Sequence, residues 1–389
     1  MTGAPFARKE TGMNRITRCA LCGALTLALG VIFATNTAAR GHGFKIFKGF
    51  DGAVYTATNS SHHNRVIVFQ RDAKGRLSHP RTFRTGGAGT GAGLGNQGAV
   101  TLDAEGRYLF VVNAGSDTVS VFAVRRFGLT LVDVQWSGGV QPISVTSHGD
   151  LVYVLNAGGD GNISGFELSP YGKLSPLSGA IKPLAHAAPG PAQIGFSPEG
   201  RALVVTEKAQ NTIVTYLVGE DGLPSEPMPN ASAGATPFGF FFSPRGRLLV
   251  SEAAGGASGA STVSSYDVLP GGTLDPTTFA LSTTQSAACW LVATANGRYA
   301  YVTNTGSNTV TGLGVARDGT LTLLDDDGVA AQAGKGPIDA ALSRDGRYLY
   351  VLNGGHASLS AYRVRGNGSL VRLRGVRDLP DGTNGLAAQ

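Results

Sequence analysis

The sequence has little cysteine, little charge and little helical periodicity. Only three of its 389 residues are cysteine, and two of those, Cys19 and Cys22, fall among the first forty positions. Charged residues make up 15%, low for a helical protein and common in a turn-rich one. Beyond residue 40, no long stretch repeats its apolar residues at helical spacing. Short apolar, β-branched and aromatic runs occur instead, separated by Gly, Pro, Asn and Asp, and the 57 glycines are spread among them. That pattern excludes a helical bundle and points to an all-β chain.

The first forty residues differ. Arg15 and Arg18 precede the apolar run CALCGALTLALGVIFA (19–34), and small residues at Thr37 and Ala39 follow it. This is the order of an export signal, with cleavage expected after Ala39 and Met13 as an alternative start. The run is short for a membrane span of ~20 residues, and Cys22 has no lipobox before it. Residues 1–39 are therefore expected to leave as a signal peptide, and 40–389 to form a monomeric domain, secreted or periplasmic. Removing them leaves Cys289 alone, so no internal disulfide can form and stability must come from packing and closure. The signal also holds four basic groups and one acidic, so the formal charge falls from +6 to +3. That balance suggests neither a nucleic-acid partner nor, after cleavage, a membrane surface.

What the sequence does contain is repetition. An apolar strand ending in Asn or Glu recurs at roughly 43 to 54 residue intervals, with anchors at Asn59, Asn113, Asn156, Glu207, Glu252, Asn304 and Asn353. A turn with Gly and then Leu follows each anchor: Gly75 to Leu77, Gly128-Leu129, Gly172 to Leu174, Gly222-Leu223, Gly272 to Leu274, Gly319 to Leu321 and Gly368 to Leu370. Both markers count seven. Four strand-like runs per unit of ~40–50 residues is the pattern of a propeller blade. The expected fold is a seven-bladed β-propeller of four-stranded antiparallel blades. GTNGLAAQ (382–389) matches the first strands elsewhere in the chain, while the first unit begins at its second strand, AVYTAT (53–58). The C-terminal strand is thus expected to close the ring and remove its free edges.

Tyr301-Val302-Thr303-Asn304 and its variants resemble the YVTN propeller repeats, and the whole chain from residue 40 resembles the seven-bladed lactonase family, which includes 6-phosphogluconolactonases and carboxymuconate-cyclising enzymes. That resemblance implies hydrolysis or cyclisation of a sugar-acid or muconate-type lactone. Such members read Gly-Pro-Arg-His before one innermost strand and Asn-Glu after the next. Here the positions hold Gly190-Pro191-Ala192-Gln193 and Thr206-Glu207. Glu207 matches; Ala192 and Gln193 stand at the arginine and histidine positions.

Strand order places the seven anchors on the same face as the loops leading into the innermost strands. Five anchors are Asn, an ordinary turn-capping residue. Glu207 and Glu252 break the pattern in adjacent blades, and a partly buried carboxylate near an axial channel suits acid–base work. They are the candidate catalytic residues. Gln97, Gln141, Gln193, Trp290 and Asp339 come from the segments entering the innermost strands and are expected to form an amide-rich funnel for a neutral, hydroxylated ligand, with Trp290 stacking on it. Phosphorylated ligands would want arginine clusters. The alternative is a non-catalytic propeller that binds a carbohydrate, a peptide or an exported protein with this face. His62, His63 and His356 read as turn histidines, and no metal or cofactor is expected. Gly93-Leu94-Gly95-Asn96-Gln97-Gly98 satisfies GxGxxG, but no helix follows to cradle a phosphate. Arg363, Arg365, Arg372, Arg374 and Arg377 alternate on the outer strands of the last repeat, an exposed strand face suited to an anion or a partner.

Overall fold

The computed structural model describes residues 51–389, except Phe127 and the His79 side chain. The expected signal segment, its cleavage point and Cys19 and Cys22 lie outside the described residues. Seven antiparallel sheets form the seven blades. Among the described residues helix is limited to three single 3-10 turns.

Burial falls from axis to rim, and the sequence follows it. Second strands such as Tyr108–Asn113 and Tyr348–Asn353 are buried along nearly their whole length. Blades cover both their faces, so they read as continuous apolar runs rather than alternating ones. The outer strand Leu274–Ser282 is mostly exposed. In the third and sixth blades the outermost strand is broken in two: Leu174–Pro176 and Lys182–Pro183 pair with one third strand, Leu321–Leu323 and Ala331–Gln332 with the other.

The ring closes as the sequence suggests. Asn384–Ala388 lies antiparallel to Gly52–Ala57, with Val54 opposite Ala388 and Thr56 opposite Leu386. Gln389 fastens the seam. Its N–H donates to the Ala53 carbonyl at 2.8 Å, and its carbonyl accepts from Arg71 Nε at 2.9 Å.

The two sequence markers turn out to be one device. The Tyr153 hydroxyl donates to the Gly222 carbonyl of the next blade (2.6 Å), Tyr301 to Gly368 (2.7 Å) and Tyr350 to Gly75 (2.9 Å). Thr215 and Ser265 make the same latch to Gly272 and Gly319. The glycines are required here. Gly75 has φ +77°, and a Cβ on it would lie 2.2 Å from the Tyr348 ring. At these five junctions a strand hydroxyl meets the next blade's turn carbonyl, which keeps repeat and turn in phase.

Candidate functional site

Pairing places the anchors on the expected face. Pro142 lies opposite Asn156, Pro191 opposite Glu207, Pro237 opposite Glu252, Ala288 opposite Asn304 and Pro337 opposite Asn353. The anchor side chains, however, tie their strand to the third strand and to the connection between blades. The Asn113 amide donates to Thr118 and Ser120, Asn304 to Thr309 and Thr311, and Asn353 to Ser358 and Ser360. These five-asparagine positions are structural caps.

The two glutamates follow from what surrounds them. The third strand of the fourth blade carries Val214 where Ser120, Ser164, Thr311 and Ser360 accept from the asparagine anchors of their blades. Glu207 accepts instead. Its fully buried carboxylate takes the Ala185 N–H on Oε1 (2.8 Å) and pairs through Oε2 with His186 Nδ1 (2.7 Å). The imidazole is 35% exposed. Glu252 is also fully buried, but its neighbours are hydroxyls: Thr262 at 2.5 Å, and Ser232 and Tyr266 at 3.3 Å. Burial raises its pKa, and the hydrogen bonds from Thr262, Ser264, Gly234 and Ser232 only partly oppose this.

The glutamines expected to form an amide-rich funnel find partners within the fold. Gln97 gives its amide to one backbone group pair: Nε2 donates to the Leu291 carbonyl (2.8 Å) and Oε1 accepts the Leu291 N–H (3.1 Å). Gln193 treats Phe240 in the same way, at 3.0 and 2.8 Å. The inner edge of each innermost strand has no strand partner, and a glutamine side chain offers the donor and acceptor that this backbone lacks. These amides are therefore tied to the fold. Gln141 is partly exposed at a positive φ of 55°, and its N–H bonds Asp117. Asp339 is buried, accepts the Ala340 N–H at 2.8 Å, and has its pKa raised well above the ordinary carboxylate range by burial.

The segment with the GxGxxG spacing reaches across the ring. Gln97 N–H donates to the Ala192 carbonyl of the fourth blade (3.0 Å), while its side chain holds Leu291 of the sixth. Trp290 is buried, with Nε1 donating to the Asn96 carbonyl (2.6 Å) and its ring 4.9 Å from Phe238. Trp290 thus packs against this crossing segment and Phe238. Lys208 completes this cluster. Its Nζ donates to the Gly95 (2.5 Å) and Pro191 (3.1 Å) carbonyls and lies 4.7 Å from the Phe238 centroid. Burial pulls its pKa down to about 8, while the Cys289 thiol is pushed up to about 11. The structure thus brings Gln97, Trp290 and Lys208 together. Glu207, Glu252 and Gln193 have separate partners.

Sequence reasoning did not single out His186. It sits upstream of the Gly190-Pro191 motif where a histidine was sought. Among the described residues no three His, Cys, Asp or Glu side chains gather as a metal set.

Residues 53–183 and 257–379 match the model of the lactonase, 7-bladed beta-propeller family. The chain belongs to that family. The stretch between the two matched ranges is the one that carries His186, Glu207 and Glu252. No curated protein matches this lactonase-family sequence. Among solved structures it resembles the Pseudomonas aeruginosa periplasmic gluconolactonase, with 18% identity over 87% of this chain and 98% of that one, at a TM-score of 0.68. A protein from Lactobacillus plantarum is 17% identical, with 87% and 99% covered and a TM-score of 0.70. A Bacteroides fragilis protein provisionally assigned as a 6-phosphogluconolactonase is 17% identical, with 87% and 98% covered and a TM-score of 0.65. At these identities the likeness is one of fold.

Proposed function

We propose that this lactonase-family propeller is an exported hydrolase that opens a sugar-acid or muconate-type lactone, with His186 as general base and Glu207 as the group that positions it. The observation that carries the reading is the 2.7 Å contact between His186 Nδ1 and a carboxylate with no solvent exposure. A buried acceptor holds the proton on Nδ1 and leaves Nε2 basic, on the ring edge free to meet solvent. Nε2 would take a proton from the water that attacks the lactone carbonyl, and the imidazolium formed would be stabilised by Glu207 and would return its proton to the departing ring oxygen. Lys208 provides a cation near Ala192, where the resemblance places an arginine, and favours a substrate that bears a carboxylate. Glu252 and Asp339, whose carboxyls sit in uncharged surroundings and lean towards the protonated form, are assigned to the structure rather than to the chemistry.

The test is a panel of aldonolactones and muconolactones followed by proton release, with the protein from residue 40 onward. Ring opening faster than the buffer rate is expected. No acceleration on any member removes the hydrolase reading and leaves the family fold serving as a binding propeller, to be tested by carbohydrate and peptide arrays.

A further inference from the structure

The first and last blades meet at the seam of the ring, and their outer strands enclose a groove of about 1430 Å³. Single small-molecule sites usually span about 300–1,000 Å³, so this one has room for a chain of several sugar units. Its lining is mixed in a particular way. Arg76 comes from the first blade and Arg372, Arg374 and Arg377 from the last. Only two carboxylates oppose them. Asp72 is already paired with Arg76 at 2.8 Å, and Asp378 has no ion-pair partner among the described residues. Arg372 is held in place, its Nη1 donating to the Gln332 carbonyl at 2.8 Å with the guanidinium 6.0 Å from the Tyr362 ring centroid. Arg374 and Arg377 are exposed and make no ion pair among the described residues. Leu77, Leu373 and Val376 add apolar surface, and Ser358 and His356 add hydrogen-bonding groups.

We propose that this groove binds an oligosaccharide of uronic acids. The positive charges in it are all arginine, with no lysine, and the guanidinium fork matches a carboxylate bidentately. The apolar strip suits the C–H faces of sugar rings. Asp378 and the hydrogen-bonding groups suit ring hydroxyls, which a ligand of bare charge such as polyphosphate lacks; such a ligand would meet Asp378 as repulsion. The site lies across the ring from His186 in the fourth blade and does not depend on the lactonase reading.

The probe is a short oligogalacturonate, titrated calorimetrically against the protein from residue 40 onward. A neutral oligosaccharide of equal length, a sulfated oligosaccharide and poly-glutamate serve as comparisons. The proposal predicts that the uronate binds, that the neutral chain does not, and that the sulfated chain and poly-glutamate bind more weakly at matched charge. Arg374→Glu with Arg377→Glu should weaken uronate binding by about tenfold or more, since each charge-assisted contact is worth about a tenfold factor, while the melting temperature and any lactone turnover stay as in the wild type. Absence of uronate binding, equal or tighter binding of the sulfated chain or of poly-glutamate, or affinity unchanged by the double substitution would each overturn it.

Discussion

The Tyr350 hydroxyl donates to the Gly75 carbonyl at 2.9 Å and so joins the last blade to the first across 275 residues of chain. Both groups are buried. Tyr350→Phe removes the donor and leaves the carbonyl without it, which should cost about 1–3 kcal/mol. Urea unfolding checks this, with Tyr171→Phe as the control, since Tyr171 is 83% exposed and should change nothing. Equal midpoints for both variants would mean that the latch contributes no stability.

Loss of the terminal strand should be far more severe. Removing residues 384–389 deletes the innermost strand of the first blade together with the Gln389 contacts to Ala53 and Arg71. The remaining edge of Gly52–Ala57 would be open. Thermal melting of the truncated chain should show a large drop or no cooperative transition, and a wild-type melting temperature would contradict the closure account.

Asp339 gives the fold a pH dependence with a defined sign. Burial raises its folded pKa well above its unfolded value of about 3.9. Between those two values the folded protein binds the extra proton, so stability falls as pH rises out of the ordinary carboxylate range through the raised pKa. Glu252 acts in the same direction. Asp339→Asn keeps the acceptor for the Ala340 N–H and cannot ionise. Its unfolding free energy should therefore fall less with pH than that of the wild type between pH 4 and 7, approximately, in paired denaturation series. Parallel curves would show that Asp339 does not titrate differently on folding.

Much of the architecture was legible because a propeller repeats its demands. The seven Asn or Glu anchors report capped loops, and five of the seven glycine turns report a strand hydroxyl held by a turn carbonyl. The closing strand was legible for the same reason, since GTNGLAAQ matches the other first strands. The site was less legible. Gln97 and Gln193 look like ligand groups in the sequence, yet the unpaired inner edge of the first strands claims both amides. Trp290 looks like a stacking platform, but Asn96 and Phe238 occupy it. Those contacts join residues as much as 194 apart, and spacing along the chain carries no trace of them. His186 escaped because its partner, Glu207, lies 21 residues further along the chain on a strand.

The account rests on the His186–Glu207 pair, and the most direct measurement is the rate of lactone opening by His186→Gln beside the wild type, at equal folded concentration. Glutamine keeps a donor for Glu207 but cannot take a proton. The account predicts kcat lower by about 10²–10⁴, with KM and the melting temperature little changed. A His186→Gln protein that opens the same lactone at the wild-type rate would contradict it.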